Sequence, residues 1–242
     1  MAQAYIVYNR NWFWQASSWL FWLNVLGLGM QRRTKVVSFD MNGTLTRDRY
    51  AELVWGEGIP SLYSRLNGVS LDEAKEYVFG EYDRVGEGRV EWYDIRYWFD
   101  YFGLGDGWRE LLEGFRREAG PFPDAIEALE KLTEGYQLIV TSNATREFID
   151  VELGAAGLKG YFTRVFSSTS DFGMVKKTPD VYLEVCRALG VQPEEMVHVG
   201  DHRYFDFVVP GQLGIRAFYL DRRGVETGES VVRDLADFCR RV

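Results

Sequence analysis

From residue 35 onward, short apolar runs alternate with longer stretches in which apolar residues recur at helical spacing. Short apolar runs bounded by turn residues predict buried strands, and apolar residues three and four positions apart predict helices. Strands that alternate with helices are typical of a parallel, doubly wound sheet. The predicted fold is therefore α/β, a Rossmann-like doubly wound parallel sheet, closed by a last helix at residues 231–240. Its strands are predicted at residues 35–40, 137–141, 164–166, 196–199 and 216–220.

A long segment between the first two strands has only helical patterns. Ser70 and Glu73 have the spacing of a capping box, in which each side chain bonds the backbone of the other, and this predicts a helix start. Trp92, Ile95 and Phe99 then share one helical face. Structureless loops of this length are uncommon in compact domains. We therefore predict an inserted all-helical cap domain at residues 47–120, with the α/β core formed by residues 31–46 and 121–242.

Residues 1–30 form an apolar extension that differs from the rest of the chain, and three interpretations are open. Residues 12–30 are uncharged, rich in Trp, Phe and Leu, and about long enough to span a bilayer as a membrane anchor. They can instead form an ordered extension packed on the domain. The third interpretation is that the start codon is assigned too early and that Met30 is the true start. The polar Gln15, Ser17 and Asn24 weaken the anchor, so the other two interpretations are favoured.

Charge and cysteine content exclude several classes of protein. The net charge is −8 and no dense Lys/Arg run is present, which argues against a nucleic-acid-binding protein. The two cysteines, Cys186 and Cys239, make neither a disulfide framework nor a zinc site. A cytoplasmic location is the simplest expectation, and the sequence leaves the oligomeric state open.

The most informative stretch is DMNGTL, which starts at Asp40 directly after an apolar run. An acid at the end of a buried parallel strand lies at the carboxyl edge of the sheet, where open α/β folds bind ligands. Gly43 lets the backbone approach a ligand closely because it has no Cβ atom. Thr44 adds a hydroxyl and an amide at the same place. These residues predict an anion-binding or catalytic site.

Three later segments carry polar residues at comparable positions. Ser142 and Asn143 follow the second predicted strand, and a helix start just beyond them favours an anion. Lys176 and Lys177 precede Pro179, which suits the first turn of a helix. Each of these features has an ordinary structural explanation when it is seen alone, such as a helix cap or two solvated loop lysines. It is their order along the chain that points to a shared site.

The fourth segment carries the acids Asp201 and Asp206, which follow the strand at residues 196–199. Two carboxylates close to Asp40 would repel each other strongly without a cation, and hard oxygen ligands suit Mg²⁺. Asp201 is the stronger candidate for direct binding, and Asp206 binds through water or orients a lysine. His198 lies within the strand and is interpreted as a core residue.

Together the four segments resemble motifs I to IV of the haloacid dehalogenase (HAD) superfamily, over residues 35–220, with the helical insert where its C1 caps lie. The resemblance implies that Asp40 is the nucleophile and that Thr44, Ser142 and Asn143 bind phosphate. Alignment on Pro179 makes Lys176 the matching lysine, with Lys177 as the alternative, because the proline that follows this lysine in the family is missing. The metal ligands implied are Asp40, the backbone carbonyl of Asn42, Asp201 and Asp206.

Asn42 departs from the family pattern, which has an acidic general acid–base residue at this position. Loss of such a group typically costs about 10²–10⁴-fold in rate. The resemblance therefore implies a Mg²⁺-dependent phosphatase for a small phosphorylated metabolite, acting through an aspartyl-phosphate. We expect it to be slow, or to prefer aryl or acyl phosphates, whose leaving groups need no proton. A 2-haloacid dehalogenase, which also lacks this acid, and a non-catalytic phosphate-binding protein are the alternatives.

Overall fold

The computed structural model describes residues 34–242. In this part of the chain a single six-stranded sheet has the order β3-β2-β1-β4-β5-β6, and all pairs are parallel. This confirms the predicted doubly wound α/β fold. The strands are β1 (Val36–Phe39), β2 (Gln137–Ser142), β3 (Arg164–Ser167), β4 (Met196–Gly200), β5 (Arg216–Leu220) and β6 (Val231–Val232).

Helices cover both faces of the sheet. Alternate residues of a strand point to opposite sides, so an apolar strand has apolar side chains to bury on each face. Val37 and Phe39 pack with one set of helices, whereas Val36 packs with the other. β1 is one of the two central strands and is fully buried, which explains why three of its four residues are apolar. The helices that follow the insert are α6 (Ala125–Thr133), α7 (Arg146–Ala155), α8 (Ser168–Phe172), α9 (Pro179–Leu189), α10 (Val209–Gln212) and α11 (Leu235–Cys239).

Residues 49–118, the helical segment, contain helices and turns that pack around an aromatic core, to which Phe148 of α7 also contributes. The predicted capping box at Ser70 and Glu73 is present and starts α3. This segment holds α1 (Arg49–Leu53), α2 (Ile59–Asn67), α3 (Leu71–Val85), α4 (Ile95–Phe102) and α5 (Trp108–Gly114), with a π-helical turn at Val54–Gly58 and 3-10 turns at Val90–Tyr93 and Arg116–Glu118. Its assignment as a separate cap domain stays a prediction.

The carboxyl end of the chain differs from the sequence prediction. The helix predicted at residues 231–240 is replaced by the short strand β6 and by α11. Asp234 separates the two, since its side chain accepts a hydrogen bond from the backbone N–H of Asp237 and so caps α11. An apolar pair such as Val231-Val232 can belong to a helix or to a strand. It forms a strand here because it pairs with the edge of β5.

The interpretations offered for residues 12–30 fall outside the described residues. Within residues 34–242 we find no helix with the length and apolar character needed to cross a bilayer. A cytoplasmic location stays a prediction.

Candidate active site

Asp40 lies at the point where the strand order of the sheet reverses. The chain proceeds from β1 to β2 on one side and returns to β4 on the other, so the carboxyl ends of β1 and β4 flank a crevice. Such crevices are the ligand sites of open α/β sheets. The Thr44 hydroxyl donates a hydrogen bond to Oδ2 of Asp40 at 3.3 Å. Gly43 has a φ of 74°, and a Cβ atom at this position would collide with the carboxylate of Asp201.

The structure brings Lys177, not Lys176, to Asp40. The Nζ atom of Lys177 is 2.5 Å from Oδ1 of Asp40 and also pairs with Asp206. Lys176 points elsewhere and forms an ion pair with Glu87, at 2.6 Å. The sequence alignment favoured Lys176 as the lysine of the site, with Lys177 as the alternative. The contacts in the structure correct this choice to Lys177.

The reason for the one-residue difference is a tight turn before α9. Lys176 has a φ of 66°, a left-handed conformation that a residue with a side chain rarely adopts. The N–H of Thr178 bonds back to the carbonyl of Lys176 at 3.0 Å. This turn directs the next side chain, that of Lys177, into the crevice. A loop conformation of this kind leaves no signal in the sequence.

Asp201 and Asp206 complete a cluster with Asp40. One oxygen from each of the three carboxylates lies within 4.8 Å of the others. Asp206 is fully buried and accepts hydrogen bonds from the backbone N–H of His202 at 3.0 Å and from Nε2 of His198 at 3.1 Å. Of the two roles considered for Asp206, orientation of the lysine is the one that its contacts match.

The electrostatics of this cluster fit a divalent cation. Burial lowers the pKa of His198, so the imidazole is neutral. With all three carboxylates ionised, the cluster and the one Lys177 ammonium would carry two negative charges. Burial, together with the neighbouring carboxylates, raises the pKa of Asp40 well above its usual range and that of Asp201 to about 6. Burial opposes ionisation of Asp206 as well, but the Lys177 ammonium holds its pKa below the usual range. Oxygen donors with this excess of negative charge suit Mg²⁺.

Ser142 and Asn143 line the same cavity as Asp40, which has a volume of about 390 Å³. Ser142 ends β2, and its hydroxyl oxygen accepts a hydrogen bond from the backbone N–H of Ala144 at 3.1 Å. Asn143 is held through its side-chain oxygen, which accepts a hydrogen bond from the hydroxyl of Ser168 at 2.9 Å. Every predicted site residue except Lys176 thus belongs to this crevice or its rim.

A buried polar chain lies beneath the cluster and was not predicted. Nδ1 of His198 is 2.9 Å from the hydroxyl of Ser38, which is 3.0 Å from the hydroxyl of Thr141. All three side chains are buried. The chain gives His198 a partner at each ring nitrogen, so the interpretation of His198 as a core residue agrees with its position. The sequence feature that could have indicated this hydrogen-bonded chain is the presence of polar residues inside otherwise apolar strands.

Arg222 supports the loop after β1 and was also missed. It donates hydrogen bonds to the carbonyl of Gly43 at 3.2 Å and to that of Thr44 at 2.6 Å. Asp124 holds the guanidinium through both carboxylate oxygens at 3.1 Å, and the ring of Phe122 lies 3.8 Å below it. Arg222 follows β5 by two residues, but no motif marks it.

Glu152 is the most unusual residue at the site. It is fully buried on α7, and its two oxygens accept hydrogen bonds from the side-chain amide of Asn42 at 2.8 and 3.1 Å. The hydroxyl of Thr46 adds a third hydrogen bond at 3.0 Å. Burial raises the pKa of Glu152 to about 7, despite these donors. In the sequence, Glu152 could have been noticed because it lies on the same apolar helix face as Phe148 and Ile149.

Comparison with known proteins agrees with this geometry. A GMP/IMP nucleotidase from Escherichia coli is 29% identical over 187 residues, which cover 74% of this chain and 79% of that protein. An (S)-2-haloacid dehalogenase from Burkholderia cepacia is 30% identical over 119 residues, 49% of this chain and 51% of that protein. A HAD phosphatase structure from Thermococcus onnurineus superimposes with a TM-score of 0.72 at 29% identity, covering 86% of this chain and 97% of that one.

The family model of haloacid dehalogenase-like hydrolases matches residues 34–206, a span that contains β1 to β4 and all three clustered carboxylates. This chain therefore belongs to the haloacid dehalogenase-like hydrolase family.

Proposed function

We propose that this hydrolase is a Mg²⁺-dependent phosphatase that cleaves the phosphate monoester of a small metabolite. The observation that carries the proposal is the cluster of Asp40, Asp201 and Asp206 around one buried lysine, Lys177. Three carboxylates this close ionise together most readily when a divalent cation is bound between them, and a bound cation favours a phosphoryl group as the electrophile. The nucleotidase and the HAD phosphatase among the similar proteins support the same reaction.

Asp40 is the proposed nucleophile. One carboxylate oxygen attacks phosphorus while the bond to the leaving oxygen breaks, which gives an aspartyl-phosphate and an aryl oxide, or an alkoxide that takes a proton from water. Water then attacks the same phosphorus and releases phosphate and the carboxylate. Lys177 holds Oδ1 of Asp40 in place, and Thr44 holds Oδ2, so the side chain needs no rotation before attack.

The remaining residues bind and orient the phosphoryl group. We assign this task to the hydroxyl of Ser142 and the side chain of Asn143, both of which line the cavity. Asp40, Asp201 and the backbone carbonyl of Asn42 would hold Mg²⁺, with Asp206 retained mainly by Lys177. When bound, the ion supplies positive charge that stabilises the phosphoryl oxygens in the transition state.

A 2-haloacid dehalogenase is the weaker candidate. Asn42 agrees with it, but the substrate of such an enzyme carries a carboxylate that needs a cationic partner. Among the described residues that line the cavity, Lys177 is the only lysine or arginine, and both Asp40 and Asp206 already engage it. Asp48 and Glu152 also line this cavity, and an acidic side chain offers no cationic partner to a substrate carboxylate.

A screen of phosphate release across many phosphate esters, with Mg²⁺ or with EDTA, tests the proposal. Release that needs Mg²⁺ and disappears in Asp40→Asn is the expected result. Halide release from 2-haloacids in the presence of EDTA would support the dehalogenase instead. Mg²⁺-dependent phosphate binding without release from any ester would mean that the protein is a non-catalytic binder.

A further inference from the structure

Aromatic side chains form part of the wall of the active-site cavity. Trp55, Trp92 and Tyr93 come from the helical segment, and Phe148 comes from α7. The ring of Trp55 stacks on that of Phe148, with centroids 5.1 Å apart and planes inclined by 9°. Trp92 packs edge-on against Tyr93 at 4.8 Å. A second, smaller cavity of about 70 Å³ is lined by Trp55, Trp92 and Tyr82.

Hydrogen bonds to the backbone hold this wall in position. The indole N–H of the buried Trp98 donates to the carbonyl of Trp92 at 3.1 Å. The hydroxyl of Tyr82 donates to the carbonyl of Trp55 at 3.4 Å. Neither tryptophan of the wall is itself fully buried, unlike Trp98 in the core of the segment. The wall is thus a prepared apolar surface that a ligand can cover.

The charge of the cavity restricts the ligand further. Apart from the clustered carboxylates, the acidic side chains that line it are Asp48 and Glu152. The ammonium of Lys177 is occupied by two carboxylates. Within residues 34–242 the cavity offers a second anionic group no lysine or arginine that is free to pair with it, so the part beyond the phosphate should carry no negative charge.

Thr145 supplies an independent sign of a ligand. It lies at the N-cap of α7 and lines the cavity, yet its side chain makes no capping hydrogen bond. Its hydroxyl is buried and, within residues 34–242, has no hydrogen-bond partner. Buried hydroxyls without a partner are uncommon and costly. A small shift of the Thr145 side chain would let this hydroxyl bond a polar substituent of a molecule bound in the cavity.

From these observations, and given the proposed phosphatase activity, we propose that the wall is a subsite for the leaving group of the substrate. This leaving group carries a flat, aromatic ring without negative charge, which lies against Trp55 and Trp92 while the phosphate reaches Asp40. The absence of an acid at residue 42 agrees with such a substrate, since an aryl oxide can depart without a proton. Aliphatic and carboxylated phosphate esters should be poorer substrates.

Two phosphonates test the subsite without any need for turnover. Benzylphosphonate and cyclohexylmethylphosphonate have the same anionic group and nearly the same size, but only the first has a flat ring. Aromatic pairs contribute about 0.5–1.5 kcal/mol beyond the buried area, so calorimetric titration with Mg²⁺ should show about 2- to 13-fold tighter binding of benzylphosphonate. A carboxylate at the 4-position of the ring should weaken binding by about 10-fold or more, a repulsion of about 1.4 kcal/mol.

Variants locate the preference. Trp92→Leu and Trp55→Leu should bring the ratio of the two dissociation constants close to 1. Trp108→Leu is the matched control, because Trp108 belongs to the helical segment but does not line this cavity. The control should keep the ratio of the native protein. A ratio near 1 in the native protein, no measurable binding of either phosphonate, or equal effects of all three variants would overturn the subsite.

Turnover separates this inference from the proposed function. The esters benzyl phosphate and cyclohexylmethyl phosphate have leaving groups of the same alkoxide type, so their kcat/KM ratio should repeat the binding ratio. Selective phosphonate binding without hydrolysis of either ester, of phenyl phosphate or of any other ester in the screen would refute the phosphatase and retain the subsite. Hydrolysis of both esters at equal kcat/KM would retain the phosphatase and refute the subsite.

Discussion

Replacement of Glu152 by glutamine should change how the stability of the protein depends on pH. Glu152 is fully buried, and burial raises its pKa from the ordinary value of 4.5 to about 7. Below pH 4.5 the residue is protonated in both the folded and the unfolded chain. Between pH 4.5 and 7 the unfolded chain loses this proton while the folded chain keeps it, so the free energy of unfolding falls as pH rises.

The size of the effect follows from the pKa change. A difference of one pKa unit corresponds to about 1.4 kcal/mol, so ionisation of Glu152 should lower the free energy of unfolding by about 3 kcal/mol between pH 4 and pH 8. Glutamine does not ionise and avoids this loss. It also replaces one acceptor oxygen by an amide that faces the Asn42 amide, and the lost hydrogen bond costs about 1 kcal/mol. Glu152→Gln should thus be about 1 kcal/mol less stable at pH 4 and about 2 kcal/mol more stable at pH 8.

Urea denaturation at several pH values in EDTA measures this difference, because extrapolation to zero urea gives the free energy of unfolding. The chelator removes any contribution from bound divalent ions. Glu127→Gln, an exposed glutamate on α6, is the control and should follow the native protein throughout. Curves for Glu152→Gln and the native protein that stay parallel from pH 4 to pH 8 would refute the assignment of a raised pKa to Glu152.

Three further predictions concern the catalytic cluster. Lys177→Ala leaves the buried carboxylate of Asp40 unpaired, so it should lower the free energy of unfolding by about 3–5 kcal/mol and abolish phosphate release. Lys176→Ala loses only a surface ion pair, which is worth about 1 kcal/mol or less. Equal losses for the two variants in urea denaturation and phosphate assays would contradict this. Asn42→Asp alone places a second acid against Glu152 and should destabilise the protein. The double variant Asn42→Asp/Glu152→Gln restores a hydrogen-bond donor to the pair, and its new acid should raise kcat on an alkyl phosphate by about 10²-fold. The absence of a gain in the double variant would mean that another group already supplies the proton. Dialysis against EDTA should abolish phosphate release and Mg²⁺ should restore it, and activity that persists after dialysis would count against a metal-dependent reaction.

Much of the fold could be read from local patterns. The strands at Val36–Phe39 and Arg216–Leu220 lie inside or match their predicted ranges, because strands of a parallel sheet that is covered on both faces are mostly apolar. Val231-Val232 was misassigned to a helix, since a two-residue apolar pair has no periodicity of its own. Its state depends on hydrogen bonds offered by β5.

The candidate site shows the same division. Asp40, Thr44, Ser142, Asp201 and Asp206 could be identified from the sequence, because each lies next to a strand end and parallel strands bring their ends together at one edge of the sheet. Lys177 could not be chosen over Lys176, because a left-handed residue decides which side chain enters the crevice. Glu152 and Arg222 were missed, because each acts through partners more than 100 positions away in the chain.

The sequence by itself determined which elements form, the order in which they alternate and which strand ends carry polar groups, because these depend on side-chain periodicity and local turn chemistry. The tertiary structure decided which lysine pairs with Asp40, which acid meets Asn42 and which aromatic rings line the same cavity as the carboxylates. These outcomes depend on distances between residues that are remote in sequence. Burial then adds a second effect, since it shifts the charge states of Asp40, Glu152 and Asp201 in a way that no local pattern encodes.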